Sequence, residues 1–385
     1  MTFAASQLQG FNACLSPGAA PGSVGKGSAG QPGQIWIWGT NNLYQLGQGN
    51  TTGRSSPILL NSDSDWVQVC TGNEFCLALK ADGRMFGWGG NTSGQLCTGN
   101  TNSVTSPIQI GSDYTWRDIV ACGDYFWLAM RSDNVLFAAG NNSHYQLGDG
   151  TNITRSSMVQ VSSSGVFWNW LDVGASHCIG VKSDSSLYTW GANTYYQEGN
   201  GTNIDVSIPT QVSSNQWLMG SAGANANLFL DINGNIYASG QNTNYQYGNG
   251  TNVSASVPTL CNSSIKFSMI SYGYSFNSYG IGYDGKCYSW GSNASGCLGQ
   301  NSATPNYSIP TQIGATSDFL YVCAGTNNAL FLKQNGNLMA VGLNTSGQLG
   351  DGSKTTRSSP VLIGSATSWL TCCCYSNFSA GIRAV

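Results

Sequence analysis

The chain has 385 residues, 41% of them hydrophobic and only 8% charged, with 51 glycines and a formal net charge of −3. So weak a field favours neither a nucleic-acid backbone nor an anionic membrane as partner, and no apolar run approaches the roughly 20 residues that a membrane-spanning helix needs. The surplus of Gly, Ser, Thr and Asn suits short strands joined by tight polar turns, not amphipathic helices, which need Lys, Glu, Ala and Leu on their faces.

In chain order, residues 1–32 come first as an extended arm, rich in Gly, Ala, Ser and Pro, with Lys26 its one charged residue. Such a segment cannot hold itself folded and orders only against a neighbour; Phe3, Leu8, Phe11 and Leu15 are its candidate anchors. No secretory signal is visible in it. The 13 cysteines are scattered and sit inside apolar stretches such as WVQVCTG and DIVACGD, where they read as small core residues. Together these features predict folding in a reducing cytoplasm. The adjacent Cys372, Cys373 and Cys374 do not make a zinc site, because consecutive strand residues point to opposite faces and no paired C-x-x-C knuckle accompanies them.

Residues 33–39, GQIWIWG, form a lone strand that opens onto the phrase WGTNNLYQLGQG. The phrase recurs with its glycine at Gly39, Gly89, Gly140, Gly191, Gly240, Gly291 and Gly342, in steps of 49 to 51 residues. An asparagine stands two places after each marker, from Asn41 to Asn344, and a glutamine four later except where Cys297 replaces it. After the phrase at residue 89 come SPIQI, WRDIVACG, FWLAMRSDN and VLFAAG, four extended pieces separated by Gly, Asn, Asp and Ser. Between the last two pieces of other copies stand ADGR, INGN, YDGK and QNGN, whose Asp-Gly and Asn-Gly pairs supply the positive φ angles of a tight hairpin. Four antiparallel strands in a period near 50 make a blade, and seven blades make an all-β propeller spanning residues 33–385. The chain stops one strand short of a complete last blade, after SSPVLI, WLTCCCY and FSAGIRAV. The early strand at residues 34–38 is therefore predicted to pair with the C-terminal strands and close the ring.

The phrase, followed by a proline such as Pro57, Pro107 or Pro360 and a later tryptophan such as Trp66, Trp116 or Trp369, resembles the regulator of chromosome condensation repeat. That resemblance implies the seven-bladed ring. It leaves function open, because the scaffold serves exchange factors for small GTPases, a plant UV-B photoreceptor, a bacterial β-lactamase inhibitor and structural proteins of phages. In the photoreceptor the segment after each innermost strand reads GWRHT; here the matching stretches read GNEF, GDYF, GASH and GYSF, so the light-sensing tryptophans are missing. Exchange-factor relatives carry a basic N-terminal segment, which residues 1–32 lack.

Catalysis needs convergent titratable groups. The chain has two histidines, His144 and His177, and two glutamates, Glu74 and Glu198, and the histidines occupy different repeat positions. Neither a calcium loop nor a phosphate loop is present, so no enzyme, cofactor or metal is expected. The triplets at Asn91, Asn293 and Asn344 resemble glycosylation sites, but the repeat itself generates them. What remains is surface. The residues after the inner strands, Asn73, Glu74, Asp124, Tyr125, Tyr274 and Tyr375, are the first candidate partner rim, since by resemblance this rim meets the partner in the inhibitor and the photoreceptor. Tyr44, Tyr145, Tyr196 and Tyr245 replace one glycine of the phrase in four copies and form a second candidate face, tyrosine being common in contact surfaces.

The expected function is a non-catalytic protein-interaction scaffold. The arm and the low-charge Asn/Ser/Thr exterior point to a virion structural protein, in the capsid or the tail, that resembles repeat-bearing phage proteins. It would be assembled in the host cytoplasm, bound to virion components through the arm, with a host-surface receptor as a further partner. The alternatives are an exchange-factor-like regulator of a small GTPase and a soluble inhibitor or adhesin, either of them cytoplasmic.

Overall fold

Alternation of large apolar and small or polar residues in WVQVCT, FCLALK, MFGWG and VTSPIQ produces four strands in one repeat. In the computed structural model, which describes residues 30–112, 115–161, 166–262 and 264–385, β1 (Gln34–Gly39) and β2 (Arg54–Leu59) precede them. The four are β3 (Trp66–Thr71), β4 (Phe75–Lys80), β5 (Met85–Gly89) and β6 (Val104–Gln109), hydrogen-bonded in that order as antiparallel neighbours. The turn between β4 and β5 holds Gly83 at φ +86°, a left-handed angle that glycine takes without Cβ strain. Strands β7 (Trp116–Cys122) to β26 (Arg357–Leu362) repeat the order in five more sheets. The seventh sheet runs β2, β1, β28 (Phe378–Arg383), β27 (Trp369–Cys374), so the early strand does join the C-terminal pair. Its register runs from Gln34 opposite Arg383 to Gly39 opposite Phe378.

The innermost strand of each blade, β27 in the closing sheet, faces a central channel, whose wall includes Val69, Asp172, Ser221, Ser271, Cys323 and Cys373. The second strand is covered on both sides by neighbouring blades, and every residue of β4 is buried. That explains why FCLALK reads as a continuous apolar run while the outermost RSSPIL does not. Most of the cysteines serve as the small core residues the sequence predicted, Cys76, Cys122, Cys178, Cys287, Cys297, Cys372 and Cys374 all being buried. Among the described residues no group of three metal-ligating side chains gathers.

The repeated phrase is a clasp. Asn91 is fully buried; its Oδ1 accepts from the Leu96 N–H at 2.8 Å, while its Nδ2 donates to the Asn100 and Asn102 carbonyls at 3.0 and 3.1 Å. The same bonds recur around Asn41, Asn193 and Asn344. Burial also closes these side chains to glycosylation, since Asn91, Asn293 and Asn344 are 0% exposed. The phrase then docks onto the next blade through the glutamine backbone. The carbonyl of Gln45 accepts the Trp88 indole N–H at 2.9 Å, Gln146 that of Trp190 at 3.1 Å, and Gln348 that of Trp38 at 2.9 Å. We predict that Asn91→Ala lowers stability by about 3 kcal/mol, because it orphans one buried N–H and two carbonyls together. A denaturant midpoint within error of the wild type would reject the clasp.

A second set of bonds joins blades at the channel wall. One position on successive innermost strands accepts a backbone N–H from the next strand around the ring. Asp172 Oδ2 accepts from Ala222 at 3.1 Å, Ser221 Oγ from Tyr272 at 3.0 Å, Ser271 Oγ from Ala324 at 3.0 Å and Cys323 Sγ from Cys374 at 3.3 Å. Carboxylate, hydroxyl and thiol thus do the same work. This gives Cys323 a structural reason to be where it is.

Candidate functional site

In every blade the link from first to second strand and the phrase that links third to fourth leave the sheet at the same end. The two candidate surfaces therefore lie on one face of the ring, at different radii, and not on two faces as the sequence reading had them. Backbone bonds tie them directly: Gly90 N–H donates to the Glu74 carbonyl at 2.7 Å, Asn141 to that of Tyr125 at 2.9 Å and Ser292 to that of Phe276 at 2.9 Å. We call this the loop face, and the opposite one the hairpin face.

At the centre of the loop face the predicted rim residues come together across the channel. Tyr274, from the link after β19 (Phe267–Tyr272), donates its hydroxyl to the Val173 carbonyl at 3.3 Å. Its ring packs on Tyr375, from the link after β27, with centroids 4.3 Å apart. Tyr375 is buried and hydrogen-bonded to Asp124. Asn73 Nδ2 donates to the Tyr125 hydroxyl at 3.1 Å. Burial lifts the Asp124 carboxyl above its usual range, with the Tyr375 hydroxyl opposing. Tyr274 and Tyr375 are among the residues that line a channel cavity of about 130 Å³. Tyr375 is thus spent on closing the mouth, whereas Asn73, Glu74 and Tyr125 are half-exposed around it.

Farther out stand the four tyrosines, at φ +63° for Tyr44, Tyr145 and Tyr245 and +64° for Tyr196. Gly94 and Gly347 hold the same place in other copies, also at positive φ. A bulky residue there is held against its backbone preference. Tyr196 is 39% exposed and its neighbour Tyr195 46%, while Tyr44, Tyr145 and Tyr245 are half-buried. Two carboxylates on this face are paired with arginines of their own blades. Asp149 is bound by Arg155 and Asp351 by Arg357, each at 2.8 Å, and His144 Nδ1 lies 2.9 Å from Asp205.

His177 is fully buried, its Nε2 2.7 Å from Asn227 Oδ1, and burial brings its pKa down to about 4 despite that bond, so it stays neutral at pH 7. The arm anchors Phe3, Leu8, Phe11 and Leu15 lie outside the described residues.

The hairpin face carries a pattern that sequence reasoning missed. Lys80, Arg131, Lys182, Lys333 and Arg383 end the second strand of five blades, and each sits over aromatic rings of its own blade. Lys182 Nζ is 3.7 Å from the Tyr188 ring centroid. Their spacing, close to the repeat, was the available signal. Stacking of this kind covers the open ends of the blade core.

The Regulator of chromosome condensation (RCC1) repeat model matches residues 32–79, 82–130, 184–230, 233–278 and 284–332. The chain belongs to this family. The RCC1-repeat chain is 30% identical over 345 residues to the ultraviolet-B receptor UVR8 of Arabidopsis thaliana, which covers 86% of this chain and 77% of the receptor. It is 33% identical over 94 residues to the human E3 ubiquitin-protein ligase HERC2, 24% of this chain and 2% of the ligase. Among solved structures, human WBSCR16 has a TM-score of 0.82 at 18% identity, covering 91% of this chain and 99% of that one. Yeast RCC1 (Prp20), solved with Kap60, has a TM-score of 0.80 at 17% identity, covering 94% and 91%. Likeness at these identities shows the fold alone.

Proposed function

We propose that this RCC1-repeat protein is a non-catalytic regulator that binds a partner protein on its loop face. The observation that carries the reading is the charge-poor surface of asparagine and tyrosine on that face, with four tyrosines held at positive φ. Strained positions of this kind persist where the surrounding structure over-determines them and cluster at functional surfaces. Tyrosine supplies contact area at low entropic cost, and asparagine supplies adaptable hydrogen bonds. A receptor and a ubiquitin ligase among the relatives favour a regulator over a virus-particle component. All 12 tryptophans lie on strands and none on the inner links, which argues against light sensing.

The test uses a photocrosslinking residue, benzoylphenylalanine, in place of Tyr44 or Asn73 on the loop face, or of Tyr283 on the hairpin face, in the full chain in its own cells. The expected result is the same crosslinked protein from positions 44 and 73 and none from 283. Crosslinks from 283 alone would overturn the assignment of the face.

A further inference from the structure

The sevenfold ring is not chemically uniform. On the outermost strand of each blade, the residue two places after the one opposite the marker glycine points outward. It is Ser56, Ser106, Ser157 and Ser359 in four blades, but Ile208, Val257 and Ile309 in three consecutive ones. Those three sit on β14 (Val206–Ser213), β18 (Ala255–Asn262) and β22 (Tyr307–Gln312), each inside the sequence S-I/V-P-T. They are 53%, 49% and 57% exposed.

Three more aliphatic side chains, Ile153, Ile204 and Val253, project from the adjoining phrases at the edge of the loop face, and are more than half exposed. A Cβ built on Gly150 would lie 3.7 Å from Ile208, one on Gly201 4.0 Å from Val257 and one on Gly250 4.0 Å from Ile309, so each phrase abuts the aliphatic residue of the next blade. Exposed aliphatic side chains gathered on neighbouring blades are a mark of an interaction site.

The geometry points to a second copy of this chain as the occupant. Residues 148–155, 199–213, 248–262 and 299–312, which build the sector, contain three charged residues: Asp149 and Arg155, paired at 2.8 Å, and Asp205, whose carboxylate already holds His144 and the Asn193 N–H. Two such sectors face each other without bringing like charges together, whereas a charged partner would lose solvation here and find no counter-charge. The order Ile, Val, Ile is the same read from either side, so a twofold axis through the middle blade matches Ile208 to Ile309 of the other copy, as an isologous interface requires. Pro209, Pro258 and Pro310 remove an N–H from each outer strand, which turns the sector away from strand addition and towards side-chain packing. The crosslinking positions 44 and 73 of the partner reading lie in other blades, whereas Tyr196 and Tyr245 share the phrases of Ile204 and Val253.

Sedimentation equilibrium of the full chain tests it. The expected result is twice the chain mass for the wild type, and a single chain mass for Ile208→Ser, Val257→Ser and Ile309→Ser combined, which installs the residue the other blades carry. The melting midpoint of that variant should be unchanged, and Ser56→Asp with Ser106→Asp should leave the dimer intact. A wild type that is monomeric up to its solubility limit overturns the proposal, as does a triple variant that folds and remains dimeric or a control pair that dissociates.

Discussion

Removal of residues 33–39 is expected to yield a chain that aggregates and no longer unfolds in one cooperative step. The segment contributes β1, which lies between β2 and β28 and pairs with β28 along six residues. It also carries Ile35, Ile37 and Trp38, all fully buried. Trp38 packs edge-on against Trp369 at 5.8 Å and gives its indole N–H to the Gln348 carbonyl of the preceding blade. Loss of the tryptophan alone should cost roughly 3–5 kcal/mol, and each isoleucine another 2–5. That sum rivals the whole 5–15 kcal/mol by which domains are typically stable. The deletion also exposes the edges of β2 and β28, which are ready templates for pairing with other chains. Light scattering during thermal unfolding reads both effects. A soluble truncated monomer with the wild-type midpoint would show that the seam does not depend on this strand.

Replacing Glu198 by leucine should stabilise the protein by about 3 kcal/mol at neutral pH, a large gain for one substitution. Leu46, Leu96, Leu147, Leu298 and Leu349 fill the same place in other copies, all buried. Glu198 is fully buried too, and both carboxyl oxygens lack a hydrogen-bond partner, because the Thr189 hydroxyl is given to the Glu198 backbone carbonyl at 2.8 Å. Burial pushes this carboxyl far above its usual range; the nearby Thr189 hydroxyl opposes the shift and the Asp205 charge adds to it. The folded state therefore holds its proton where the unfolded state, with an ordinary pKa near 4.3, has released it. Stability consequently falls as pH rises from about 4 towards the folded-state value. The advantage of Glu198→Leu should be smallest near pH 4 and grow towards pH 8. A variant whose midpoint gain is flat across that range would mean that the carboxyl is not held protonated.

The number of blades, the hairpins and the seam were legible because each is local or periodic. Marker glycines at constant spacing count the blades, Asp-Gly and Asn-Gly turns place the second strand beside the third, and a lone strand before the first phrase predicts its missing partners. The clasp was half legible. The invariant asparagine and the glutamine found in six of the seven copies announced a structural device, but that Asn91 bonds its own loop while the Gln45 carbonyl reaches Trp88 of the next blade depends on how blades abut. The hairpin-face cations and the Ser-or-aliphatic alternation of the outer strands were in the sequence too, and both appear once the repeats are compared position by position.

What the sequence by itself determined was the all-β ring of seven repeats and its closure by the early strand, since strand period, turn type and repeat spacing are properties of short stretches of chain. Only the tertiary structure decided that the inner links and the tyrosine loops share one face, that Tyr274 reaches Val173 across 101 residues, and that Tyr375 meets Asp124 across 251. The physical reason is that repeats 50 residues apart become neighbours, and opposite blades face one another, only when the ring closes. No local pattern encodes which side chains then converge over the channel.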